Sequence, residues 1–87
     1  MTIKEQFLND IKEGIDNNEV HFSVDVKVPG APRSETIINQ RENFQAKHDH
    51  YEEMYDDNLR LKSNPDISIV SYMIGIKMVN VIEVMDE

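Results

Sequence analysis

Apolar residues change their spacing several times along this chain, and each spacing predicts an element. Ile3, Phe7, Leu8, Ile11 and Ile15 recur at three- and four-residue intervals behind Thr2-Ile3-Lys4-Glu5, which has the Ser/Thr-x-x-Glu form of a capping box. A first helix over about residues 3–16 follows from that pattern. After Asn17-Asn18, the residues Val20, Phe22, Val24, Val26 and Val28 alternate strictly with His21, Ser23, Asp25 and Lys27, the period of a half-buried strand. Pro29-Gly30-Ala31-Pro32 stops this strand, because proline has no donor for a sheet ladder and glycine admits the turn.

Thr36-Ile37-Ile38 fits either a short extended segment or a first helical turn. Asn39-Gln40-Arg41-Glu42 suggests an N-cap with Glu at the third helical position, so a long helix is expected over about residues 39–62. On such a helix Phe44, Tyr51, Met54, Tyr55, Leu59 and Leu61 share one arc with His48 and Asn58, while Glu42, Asp49, Glu52, Glu53, Asp56 and Asp57 share the opposite one. Beyond Ser63-Asn64-Pro65, the stretch Asp66 to Val84 is rich in β-branched residues and reads as strand, with Gly75 dividing 67–74 from 76–84. Asp86-Glu87 forms a short acidic tail. The expected fold is α+β, one domain over residues 1–87. A small antiparallel sheet of two to three strands carries the N-terminal helix and the long helix, and Val20 or its alternation partners Phe22, Val24 and Val26 face the core.

Composition narrows the function. A chain of 87 residues buries only about 60% of its unfolded surface, and long apolar strands leave edges to be covered, so self-association is expected, with a dimer the commonest symmetric form. The absence of cysteine removes disulfides, thiolate nucleophiles and Cys-type metal sites. The N-terminus opens straight into a charged amphipathic segment, and no apolar run approaches the roughly 18 residues of a membrane span, which leads to the expectation of a cytoplasmic protein. Seventeen acids against nine bases give a net charge of −8. That sign opposes contact with nucleic-acid phosphates and favours a basic protein surface.

His48 and His50 of Lys47-His48-Asp49-His50 stand two apart and point about 200° apart on a helix. His48 with Glu52 lacks a third ligand. Gly14, Gly30 and Gly75 are too dispersed for a phosphate-binding loop, and no Gly-x-Ser-x-Gly elbow occurs. The acid pairs Glu52-Glu53 and Asp56-Asp57 share one wet environment, which cannot split them into an acid and a base. No catalytic residue, metal ligand or cofactor is assigned. The candidates for partner binding are Asp49, Glu52, Glu53 and Asp56, an acidic ridge that opposes helix formation by a few tenths of a kcal/mol per like-charged pair. Such a ridge is either a contact for a basic partner or a solvated helix face. Phe44, Tyr51 and Tyr55 on the other arc serve as core, with a protein–protein seam as the competing use.

Glu42-Asn43-Phe44-Gln45-Ala46-Lys47, Tyr51, Tyr55-Asp56-Asp57-Asn58-Leu59-Arg60-Leu61-Lys62 and Ile67-Ser68-Ile69-Val70 together resemble small uncharacterised accessory proteins of phages and prophages of Gram-positive bacteria. The resemblance covers roughly half the chain and carries no site residue with it. It implies a product of the host cytoplasm that acts by occupying a host or phage protein. The leading expectation is a non-enzymatic interaction protein that binds a protein partner, or itself, through its helix or sheet face. Its rivals are a small-ligand-binding or metal-dependent enzyme subunit whose site forms between protomers around His21, His48 and His50, and a structural part in phage assembly.

Overall fold

Thr2 caps the first helix reciprocally. Its hydroxyl accepts the Glu5 N–H at 3.1 Å while the Glu5 carboxylate accepts the Thr2 N–H at 3.2 Å, so donors that a helix start leaves bare are satisfied. The computed structural model describes residues 1–82, in which helix α1 spans Ile3–Asp16 and buries Ile3, Phe7, Leu8 and Ile11. Asn18 then turns the chain in the left-handed region, φ 59°, which asparagine enters more readily than most residues.

Five antiparallel strands follow: β1 (His21–Lys27), β2 (Glu35–Gln40), β3 (Arg60–Leu61), β4 (Asn64–Ile74) and β5 (Lys77–Asn80). Their order is β2-β1-β4-β3, and β5 also pairs with β4. Strand β4 is the hub. One edge pairs with β1; along the other, β3 pairs at Asn64 and Ser68 and β5 pairs from Ser71 to Ile74, end to end. Between β2 and β3 the chain forms a single 3-10 turn, Arg41–Asn43, and helix α2, Phe44–Met54.

Both helices lie on one side of the sheet, and the core fills the space between. The Phe7 ring meets Tyr72 at 4.7 Å, Tyr51 at 5.2 Å and Phe22 at 6.4 Å, and Phe22 meets Phe44 at 4.9 Å, within the range where aromatic pairs attract through ring edges and faces. Phe22, Val24, Val26, Ile69, Tyr72 and Ile74 complete it from the sheet. Polar braces tie the layers. Lys4 Nζ donates to the Glu52 and Tyr55 carbonyls, both at 2.7 Å, placing a cation on the C-terminal end of α2. Buried Asp10 accepts from the Tyr72 hydroxyl at 2.6 Å and from Lys77 Nζ at 2.7 Å. Burial, and then the hydrogen bond with Asp10, push the Tyr72 phenol far above its ordinary range; the same carboxylate raises Lys77. Gly75, φ +59°, joins β4 to β5, and it is this left-handed backbone that calls for glycine; a Cβ there would meet only the carboxylate end of the flexible Glu19 side chain.

The α+β class and the extent of the first helix agree with the sequence reading, and four of its details are corrected. The sheet has five strands instead of two to three, because Thr36-Ile37-Ile38-Asn39-Gln40 pairs with β1 and Arg60-Leu61 pairs with β4. The long helix expected over 39–62 is the 11-residue α2. Asp56-Asp57-Asn58 closes it off: Asp56 Oδ1 accepts the Asn58 and Arg60 N–H groups, each at 2.9 Å, which is the competition with helix that makes Asp and Asn turn residues. Tyr55, Leu59 and Leu61 are still wholly or partly buried, but from a turn and a short strand, with Leu59 at φ 59°; Asn58 is exposed. Val20 is exposed, and the core-facing set begins at Phe22. Gly75 does divide two strands, but β5 ends at Asn80 and Val81-Ile82 are helical; the remainder of the expected strand to Val84, and the Asp86-Glu87 tail, lie outside the described residues. Among the described residues no helix is long and apolar enough to cross a membrane.

Candidate functional site

Alternation sends every second strand residue to the side away from the helices, and strand register assembles those residues into rows. Ile38, Ser23, Met73 and Met78 stand opposite one another across β2, β1, β4 and β5. Thr36, Asp25, Ser71 and Asn80 form the next row, and Lys27, Ser68 and Arg60 the one after that, across β1, β4 and β3. The extra residue that separates the last two rows is Val70: Asp25 pairs with Ser71 and Val26 with Ile69, a bulge in β4. Among the described residues no element covers this face.

The three rows differ in chemistry. Ile38, Met73 and Met78 are 60%, 43% and 68% exposed, a run of hydrocarbon and thioether lying open to water. Beside it Asp25 is held on both sides, Oδ1 by the Thr36 hydroxyl and Oδ2 by the Ser71 hydroxyl, each at 2.5 Å. These two hydrogen bonds, Ser71's the stronger, keep the Asp25 carboxyl below its ordinary range. Ser23, Asp25, Thr36, Ser71, Met73 and Met78 line a shallow depression of about 250 Å³. The third row is cationic. A rigid sheet therefore presents adaptable methionines, one fixed acceptor and two cations on one surface.

The acidic candidates are arranged otherwise than the sequence reading had them. Asp49, Glu52 and Glu53 are exposed on α2, but Asp56 lies beyond its end with its carboxylate occupied in the turn. The ridge is thus shorter by one member. Asp49 Oδ1 is 3.0 Å from His48 Nδ1 and accepts from Gln45 at 3.1 Å; the contact with His48 holds its carboxyl low. His48 is buried, His50 is exposed with its ring 5.5 Å from that of Tyr51, and His21 is exposed on β1. No group of three or more His, Cys, Asp or Glu residues that could hold a metal ion occurs among the described residues. Asn39, taken in the sequence as a helix cap, instead carries a buried amide whose Nδ2 has no hydrogen-bond partner among the described residues. Burial pushes the nearby Tyr51 phenol above its ordinary range.

The sequence reading missed the open sheet face because each of its rows is joined through β1 and β4, whose paired residues stand 41 to 50 positions apart. The signal available was the polar half of the β1 alternation, Ser23 and Asp25 among it, which requires a solvent-facing side of the sheet. Comparison with protein families, with curated proteins and with solved structures finds no match to this chain.

Proposed function

We propose that the protein is a non-enzymatic binding module, a small accessory factor of the phage kind, that works by docking the open face of its sheet onto a protein partner or a second copy. The row Ile38, Met73 and Met78 carries this reading. Exposed apolar side chains are ordinary when scattered, but Met73 and Met78 side by side, with Ile38 beyond Ser23 in the same row and a fixed polar acceptor next to them, have the composition of an interface centre. Methionine is also among the residues enriched at such centres and adapts its shape to a partner. The acidic side of α2, with Asp49, Glu52 and Glu53 exposed, supports a second contact with a basic surface, mainly through encounter rate.

The test is sedimentation velocity over a wide concentration range, with affinity capture from extract, on the parent and on Met73→Lys/Met78→Lys. Both side chains are exposed, so the variant keeps the parent's circular dichroism. Loss of self-association, or of the captured partner, supports the sheet face. If association persists in that variant but disappears at raised salt in Asp49→Asn/Glu52→Gln/Glu53→Gln, the contact lies on the helix. A parent that stays monomeric and captures nothing overturns the proposal.

A further inference from the structure

Two cations meet at the far end of the open face, in a notch between the ends of β3 and β5. Lys27 and Arg60 are both paired with Ser68, one from each side, about 10 Å apart at two strand spacings. The notch holds about 270 Å³ and is lined by Asn58 and Ser68 as well as the two cations, and by Val70, Val81 and Ile82. Neither the Lys27 ammonium nor the Arg60 guanidinium makes an ion pair or hydrogen bond with another described residue. Of the carboxylates near them, two are already engaged, Asp25 by Thr36 and Ser71, and Asp56 by the Asn58 and Arg60 N–H groups.

We propose that this notch binds a small aliphatic carboxylate, its oxygens held by Lys27, Arg60 and the Ser68 hydroxyl and its hydrocarbon part against Val70, Val81 and Ile82. Guanidinium and ammonium groups with a hydroxyl between them supply charge-assisted donors for an oxyanion. Inorganic phosphate would satisfy the cations but leave the apolar wall without a partner, whereas a carboxylate with a short chain uses both. The volume falls just below the roughly 300–1,000 Å³ of pockets that enclose larger organic ligands, which limits the occupant to a short chain. The net charge of −8 repels anions at a distance, so binding depends on contacts inside the notch and strengthens with ligand carbon number.

The experiment follows backbone amide shifts by heteronuclear NMR while acetate, butyrate and hexanoate are added at constant ionic strength, with inorganic phosphate and hexylamine as controls. Glu83→Gln, Asp86→Asn and Glu87→Gln are introduced throughout, so that the side-chain carboxylates following Ile82 in the sequence cannot compete. Saturable shifts at Lys27, Ser68, Arg60 and Val81 are expected, tightening by about three- to four-fold per methylene until the notch is full. Lys27→Ala/Arg60→Ala, both exposed in the parent, should weaken hexanoate binding at least ten-fold with the melting temperature unchanged. Phosphate binding as tightly as hexanoate, hexylamine moving the same amides, or the double variant binding like the parent would each overturn the proposal. The ligand series on the parent decides the matter even where the double variant is unstable.

Discussion

The sheet has two faces made by the same strands, and they obey different rules. On the helix side, Phe22, Val24, Tyr72 and Ile74 are almost wholly excluded from water and lock against α1 and α2. On the open side, Ser23, Asp25, Ser71 and Met73, their immediate neighbours in sequence, stay half or largely exposed and touch water or one another. The difference teaches that one chain segment can be committed to stability on even positions and left available for recognition on odd ones. Changes on the first face are therefore read in folding, and changes on the second in binding.

The sharpest test of that division is Phe22→Ala. Removing a ring packed against Phe7 and Phe44 should cost on the order of 3–5 kcal/mol, a large part of the roughly 5–15 kcal/mol available to a small domain, and shift the urea midpoint accordingly. A loss below 1 kcal/mol would mean that the inner face is not the core. Asp10→Ala comes next. It strips the Tyr72 hydroxyl and Lys77 of their acceptor beneath α1, for an expected loss of about 1–3 kcal/mol, and Asp10→Asn should recover part of it by retaining an acceptor.

On the open face the effects shrink. Asp25 is held below its ordinary pKa of 3.8 when folded, so its contribution is complete above that value and is lost as pH falls through the lowered one. Urea midpoints from pH 7 down to pH 2.5 should therefore show the gap between parent and Asp25→Asn narrowing on the acid side. A gap that widens there would contradict the hydrogen bonds from Ser71 and Thr36. Water screens this group, so the difference is small at every pH. Smallest of all is Met73→Ser, which should move stability by no more than about 0.5 kcal/mol while weakening any association through the face.

What could be read from the sequence divides along the same physical line. Thr2 and Glu5 cap α1 by contacts three residues apart, and the β1 alternation is likewise local, so both were legible. β2 was ambiguous because Ile37 and Ile38 give no periodicity: the strand is the sheet's edge, and Ile37 remains 42% exposed even on the helix side. The segment 55–62 deceived because a turn with Leu59 in the left-handed region places Tyr55, Leu59 and Leu61 inside at intervals that a continuous helix would also produce. The acidic ridge inherited that error at Asp56. The open face and the cationic notch depend on register between strands far apart in sequence, which a single chain of letters does not reveal.

The hub position of β4 has a consequence for how the molecule comes into being. During synthesis the β1–β2 hairpin can close over a short loop, but β1 then waits for partners more than 40 residues downstream, and non-local pairings of this kind are the slow ones. Until β4 has left the ribosome, Phe22 and Val24 are flanked on one side by an unfilled strand position, a state in which a nascent chain is open to misassembly with its neighbours. Folding is thus tied to the translation of a single late strand, and agents that pause the ribosome before Ile74 would prolong the interval in which the chain needs protection.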